Sequence, residues 1–135
     1  MTTAQVVQDN AALVKRGYDA FASGDMTSLQ ELYHAEATFY TVPHQTGAGT
    51  HLGRDAIFAF FVTLFTESKG TFRVKPTSIA AVDNRVFVLQ DVSGERNGYS
   101  LQETSVMVFT IENGLVREMR EFVTPASHIK DFWDA

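Results

Sequence analysis

The chain of 135 residues contains no cysteine. Disulfides, thiolate metal sites and a cysteine nucleophile are therefore excluded. It also lacks an excess of positive charge. The net charge of −5 argues against nonspecific affinity for nucleic acid or for an anionic membrane surface. No window of apolar residues reaches the length of a membrane span. The opening MTTAQVVQDN has neither a basic n-region nor an apolar core, so no signal peptide is expected and a cytoplasmic location fits. Only three prolines interrupt the chain, and no repeat, low-complexity tract or linker divides it, so one domain over 1–135 is expected. Phenylalanine, by contrast, is plentiful at eleven residues, which suits either a packed aromatic core or the wall of an apolar cavity.

Periodicity places a helix from about Ala4 to Ala22, with Val6, Asn10, Leu13, Val14, Gly17, Tyr18 and Phe21 on one stripe and Gly24 as its C-terminal cap. A short helix from about Thr27 to Tyr33 follows, with capping-box spacing at Thr27/Gln30 and Ser28/Glu31. ATFYTVP, Ala37 to Pro43, reads as a strand. His44 to Gly53 reads as a long glycine-rich loop, in which His44 and His51 are expected to be solvated. RDAIFAFFVTLFTES is a helix with Ile57, Phe58, Phe61, Leu64 and Phe65 inward. From Thr71 the pattern is a meander of about four long strands. These turn at Asp83-Asn84, at SGERNG and at Asn113-Gly114, whose preference for positive φ marks a tight hairpin. Thr124-Pro125 opens a final helix carrying Ile129, Phe132 and Trp133. Helices first and an antiparallel sheet after them mean α+β. Strands this long must twist, and helices laid in the hollow of the bent sheet leave room for a pocket.

The order YDAFASGDMTSLQELYHAEATFY, then GRDAIFAFF, then ENGLVREMREFVTP resembles the nuclear transport factor 2-like superfamily, in its SnoaL-like and ketosteroid-isomerase-like branch. The resemblance runs from about Leu13 to Pro125. It implies a cystatin-like cone: a curved antiparallel sheet with the N-terminal helices in its concave face. It also implies a small-molecule pocket inside the cone and a homodimer through the outer sheet face. Residue by residue, the catalytic sets of the branch are mostly replaced. The isomerase oxyanion tyrosine falls on Gly17, beside Tyr18. Its general base falls on Thr41 and its protonated aspartate on Met107. The limonene epoxide hydrolase pattern aligns its last-strand aspartate with Glu121. Its earlier Arg–Asp pair falls near Leu89 and Asp91, with the arginine missing. SnoaL-like cyclases pair a last-strand acid with a histidine, and residues 99–112 contain none.

Strand alternation supplies the rest. With the register the resemblance sets, Arg117, Met119 and Glu121 face the hollow, and Glu118, Arg120 and Phe122 face outward. Glu103, Ser105, Met107 and Phe109 face the hollow from the preceding strand, and Val106 and Val108 face a partner. Glu121, Glu103 and Asp91 are thus the candidate catalytic acids. A plain ion pair between Arg117 and Glu121 is the structural alternative. Tyr18, Tyr40, His44, Phe58, Phe61, Met107 and Met119 are the candidate substrate contacts. No pattern of metal ligands or dinucleotide-binding glycines is present, so neither metal nor cofactor is expected. Two functional readings stay open. One is cofactor-free acid–base chemistry on an apolar oxygenated molecule, with Glu121 as base or acid. The other is a domain of the same fold that binds a hydrophobic ligand or dimerises without catalysis.

Overall fold

A computed structural model describes residues 2–41 and 49–123. His44 and the helix expected after Pro125 lie outside the described residues. Helix α1 (Thr3–Ser23) is capped by Thr2, whose hydroxyl accepts from the backbone N–H of Gln5, and ends at Gly24 with φ 73°. Glycine suits that left-handed position because it has no Cβ to clash. Helix α2 (Met26–Gln30) is shorter than its sequence pattern suggests. Asp25 caps it by accepting from the Ser28 N–H, so neither capping box at Thr27 or Ser28 is used. Tyr33 leaves the helix and opens strand β1 (Tyr33–Tyr40), four residues before the expected start at Ala37.

Strand β2 (Thr50–Leu52) forms inside the segment expected to be loop, paired antiparallel with β1. This corrects the reading of His51, which is buried and stacks on Phe60 at 4.1 Å. Helix α3 (Arg54–Glu67) buries Ile57, Phe58, Phe60 and Phe61. Three hairpin-linked strands follow, β3 (Arg73–Val82), β4 (Arg85–Arg96) and β5 (Tyr99–Glu112), and then β6 (Leu115–Val123). The turn expected over SGERNG narrows to Asn97-Gly98, both with positive φ, so β4 and β5 run longer than their apolar patterns.

The sheet has six strands in the order β2-β1-β6-β5-β4-β3. It departs from the expected antiparallel sheet where β1 and β6 pair in parallel. Register shifts at Tyr33/Thr38, Pro76/Ser78 and Thr110/Ile111 interrupt the ladders, and irregularities of this kind bend a sheet. Pro76 sits at such a shift on β3, an edge strand, where its missing N–H costs no central ladder bond. The helices pack on the concave face, with α1 against β3 and β4 and α3 against β1. Leu13, Val14, Leu29, Phe61, Val86, Val88, Phe109 and Met119 are among the residues of the shared core. The result is an α+β cone. No helix among the described residues is long and apolar enough to cross a membrane.

Candidate functional site

The cone encloses, among the described residues, a cavity of about 890 Å³. Its inner end is apolar, walled by Leu13, Leu29, Phe39, Phe109 and Val116. Its outer end is built by the β4–β5 hairpin, from Glu95 to Glu103, facing the end of α3 at Glu67 and Ser68.

One polar cluster interrupts the apolar wall. Glu121 lines the cavity from β6. Its Oε1 accepts from the Thr41 hydroxyl at 2.5 Å. Its Oε2 accepts from the Ser105 hydroxyl at 3.0 Å and from Gln90 Nε2 at 3.3 Å. Gln90 Nε2 also donates to Ser105 Oγ at 2.9 Å, and the Tyr18 hydroxyl donates to Gln90 Oε1 at 2.6 Å. The cluster therefore joins α1, β4, β5, β6 and the residue after β1. Each of its three hydrogen-bond partners among the described residues presents a hydrogen, which suits the acceptor-only carboxylate.

The strands explain how these side chains meet. In β4 the alternation buries Val86, Val88, Gln90 and Val92 and exposes Phe87, Leu89 and Asp91. The cross-strand register then sets Gln90 opposite Ser105, and Met107 opposite Glu121. Gln90 is only 2% exposed. A buried amide needs partners, and this one has them on both ends. Burial, then Tyr33, then Glu121 hold the Tyr18 phenol well above its ordinary range, so it keeps its proton. Glu103 lines the cavity on the side of the hairpin. Burial, and after it the nearby Glu121, raise its carboxyl above the usual range.

Of the sequence candidates, Tyr18, Phe61, Glu103, Met107, Met119 and Glu121 line the cavity. Asp91 does not: it is exposed on the opposite face of β4 and accepts from Thr104 Oγ1 at 3.1 Å. Tyr40 does not: its ring lies under the Arg120 guanidinium at 4.4 Å, and Arg120 also bonds Glu118. Phe58 packs into the core on Tyr33 and Phe61, outside the cavity wall. Arg117 is corrected as well. It is the extra residue at the shift where Ile111 pairs with Val116 and Thr110 with Glu118. Val116 takes the inward position, and the Arg117 guanidinium bonds the Glu36 carbonyl instead of Glu121.

Gln90 escaped the sequence reading. Its signal was a polar residue at an apolar position of the alternating run VFVLQDV. Thr41 was visible only as the place of a lost catalytic base, and its bond to Glu121 joins residues 80 apart.

The model of the SnoaL-like domain matches residues 14–119. The chain belongs to the SnoaL-like domain family. Its cone is the nuclear transport factor 2-like fold. Among solved structures, Bal32a from a soil-derived mobile gene cassette is 37% identical, covering 94% of this chain and 98% of that one, with a TM-score of 0.86. A protein of Sinorhizobium meliloti proposed to be a polyketide cyclase is 21% identical, covering 82% of this chain and 94% of that one, with a TM-score of 0.69. An uncharacterised protein of Mycobacterium tuberculosis is 23% identical over 122 residues, 90% of this SnoaL-like chain and 93% of its own length. The family is one of small-molecule cyclase and isomerase type folds.

Proposed function

We propose that this SnoaL-like protein is a small-molecule enzyme that moves protons on an apolar, oxygen-bearing carbon skeleton without a cofactor. The observation that carries this reading is Glu121, a carboxylate gripped by donors inside a largely apolar cavity. In the proposed reaction Glu121 removes a proton from a carbon or hydroxyl of the substrate. The electron pair left behind shifts onto a conjugated oxygen. Glu103, whose carboxyl is raised by burial and by Glu121, supplies a proton to that oxygen or to a neighbouring carbon. Two carboxylates in different surroundings thereby divide base and acid duties. Cyclisation and isomerisation begin with such a transfer; in hydrolytic opening the same base takes its proton from water, whose oxygen attacks carbon as the carbon–oxygen bond breaks and the acid protonates the leaving oxygen.

The test is a panel of hydroxylated cyclic ketones, hydroxylated epoxides and polyphenols, incubated with the wild type and Glu121→Gln and resolved by chromatography. Removing a general base lowers kcat/KM by about 10²–10⁴-fold. Equal turnover by the two proteins would remove Glu121 from the chemistry.

A second reading, ligand binding without turnover, is favoured by one observation. The hydroxyl of Tyr18 spends its hydrogen on Gln90 Oε1 rather than leaving it for a ligand.

The homodimer belongs to the same proposal. Phe87 pairs with Val108, Leu89 with Val106, and Val106 with Phe122, giving a continuous apolar strip on the convex face. Phe122 is 58% exposed there. A second copy laid on this strip would cover it.

A further inference from the structure

We infer that the cavity selects apolar molecules carrying a hydrogen-donating head, a hydroxyl or an ammonium, and turns away anionic ones. This inference rests on the same cavity being a ligand site. It follows from accounting for hydrogens. Thr41 and Ser105 each own one hydroxyl hydrogen, and both point at Glu121. Tyr18 owns one, spent on Gln90 Oε1. The two amide hydrogens of Gln90 go to Ser105 and Glu121. Every hydrogen these four side chains possess is thus committed inside the protein. What the cluster still offers is acceptor capacity on Glu121, whose Oε1 holds, among the described residues, a single bond from Thr41. A ligand head that arrives with a hydrogen is satisfied there. One that arrives with only lone pairs loses its water and finds no hydrogen in this cluster in return.

Charge points the same way. Among the described residues, the charged side chains lining the cavity are Glu67, Glu95, Arg96, Glu103 and Glu121. Arg96 is tied to Glu67 at 3.2 Å at the outer end. No lysine or histidine lines the cavity among the described residues. An anionic head would therefore face Glu121 in a weakly screened space, and the cation among the described lining residues, Arg96, is already held by Glu67. An ammonium gains from Glu121, and the aromatic wall of Tyr18, Phe39 and Phe61 presents further negative faces to a cation.

The experiment is isothermal titration calorimetry at neutral pH with four ligands on one skeleton: phenylbutylamine, phenylbutanol, phenylbutanone and phenylbutyrate. The amine and the alcohol should bind roughly ten- to a hundredfold tighter than the ketone and the carboxylate. Glu121→Gln places an amide with its own hydrogens in the cavity, so the gap between alcohol and ketone should shrink. Should Glu121→Gln not fold, the wild-type ranking of the four ligands tests the inference by itself. Equal affinity of the wild type for carboxylate and alcohol, or a ranking unchanged in Glu121→Gln, would overturn the inference while leaving proton-transfer catalysis standing. The expected ranking without turnover of any panel compound would sink the enzymatic reading alone. Failure of all four ligands to bind would overturn both.

Discussion

The hydroxyl of Thr41 donates to Oε1 of Glu121 at 2.5 Å, joining the exit of β1 to the closing strand β6. The two strands run parallel, Phe39 beside Met119 and Tyr40 beside Arg120, so the bond continues their ladder into the cavity. Thr41→Val keeps the shape and removes the hydrogen. Loss of one hydrogen bond to a charged, half-buried acceptor should lower unfolding stability by about 1–3 kcal/mol at neutral pH. Urea denaturation measures it.

Gln90 is the joint of the cluster, and two substitutions there should behave differently. Gln90→Leu strands the Tyr18 hydroxyl and removes a donor from Glu121, and should cost about 2–4 kcal/mol at any neutral pH. Gln90→Glu sets a second carboxylate against Glu121. Its stability should fall steeply as pH rises, because two adjacent carboxylates resist ionising together. Urea midpoints at acid and neutral pH separate the two behaviours.

Glu103 gives a pH prediction with a definite sign. Its carboxyl is raised above the value of 4.5 expected for a free glutamate, by burial first and by Glu121 second. The folded protein therefore holds this proton more tightly than the unfolded chain does. The contribution is fully present below the unfolded value and is lost as pH rises through the folded one. Glu103→Gln removes the titration. The variant should gain stability relative to wild type as pH climbs through the glutamate range, and a flat difference would refute this.

The apolar strip on the convex face predicts an oligomer. Light scattering should give about twice the chain mass of 15.0 kDa for the wild type. Phe122→Lys should return the single-chain mass with an unchanged circular dichroism spectrum.

The elements with local signals were legible in the sequence. The stripe of α1, the cap at Gly24 and the turns at Asp83 and Asn113-Gly114 all depend on residues a few positions apart. What was hidden depends on distant partners. Strand β2 is three residues long and is a strand only because β1 lies beside it. The extra residue Arg117 reverses which neighbour faces inward, and strict alternation cannot reveal such an insertion. The alternation still placed Glu121 on the concave face and Glu118 on the convex one, because the irregularity lies before both. The family pattern directed attention to Asp91, whereas the side chain that reaches the cavity from β4 is its neighbour Gln90.

A substrate-independent probe tests the central claim most directly. Nitrobenzisoxazole opens when a base removes its ring C–H proton; the nitrogen–oxygen bond breaks and a coloured cyanophenolate leaves. An active carboxylate base in an apolar cavity accelerates this reaction without other help. The wild type should open the ring faster than acetate at equal concentration, and Glu121→Gln should lose about 10²-fold or more of that rate. Equal rates for the wild type and Glu121→Gln would contradict the account.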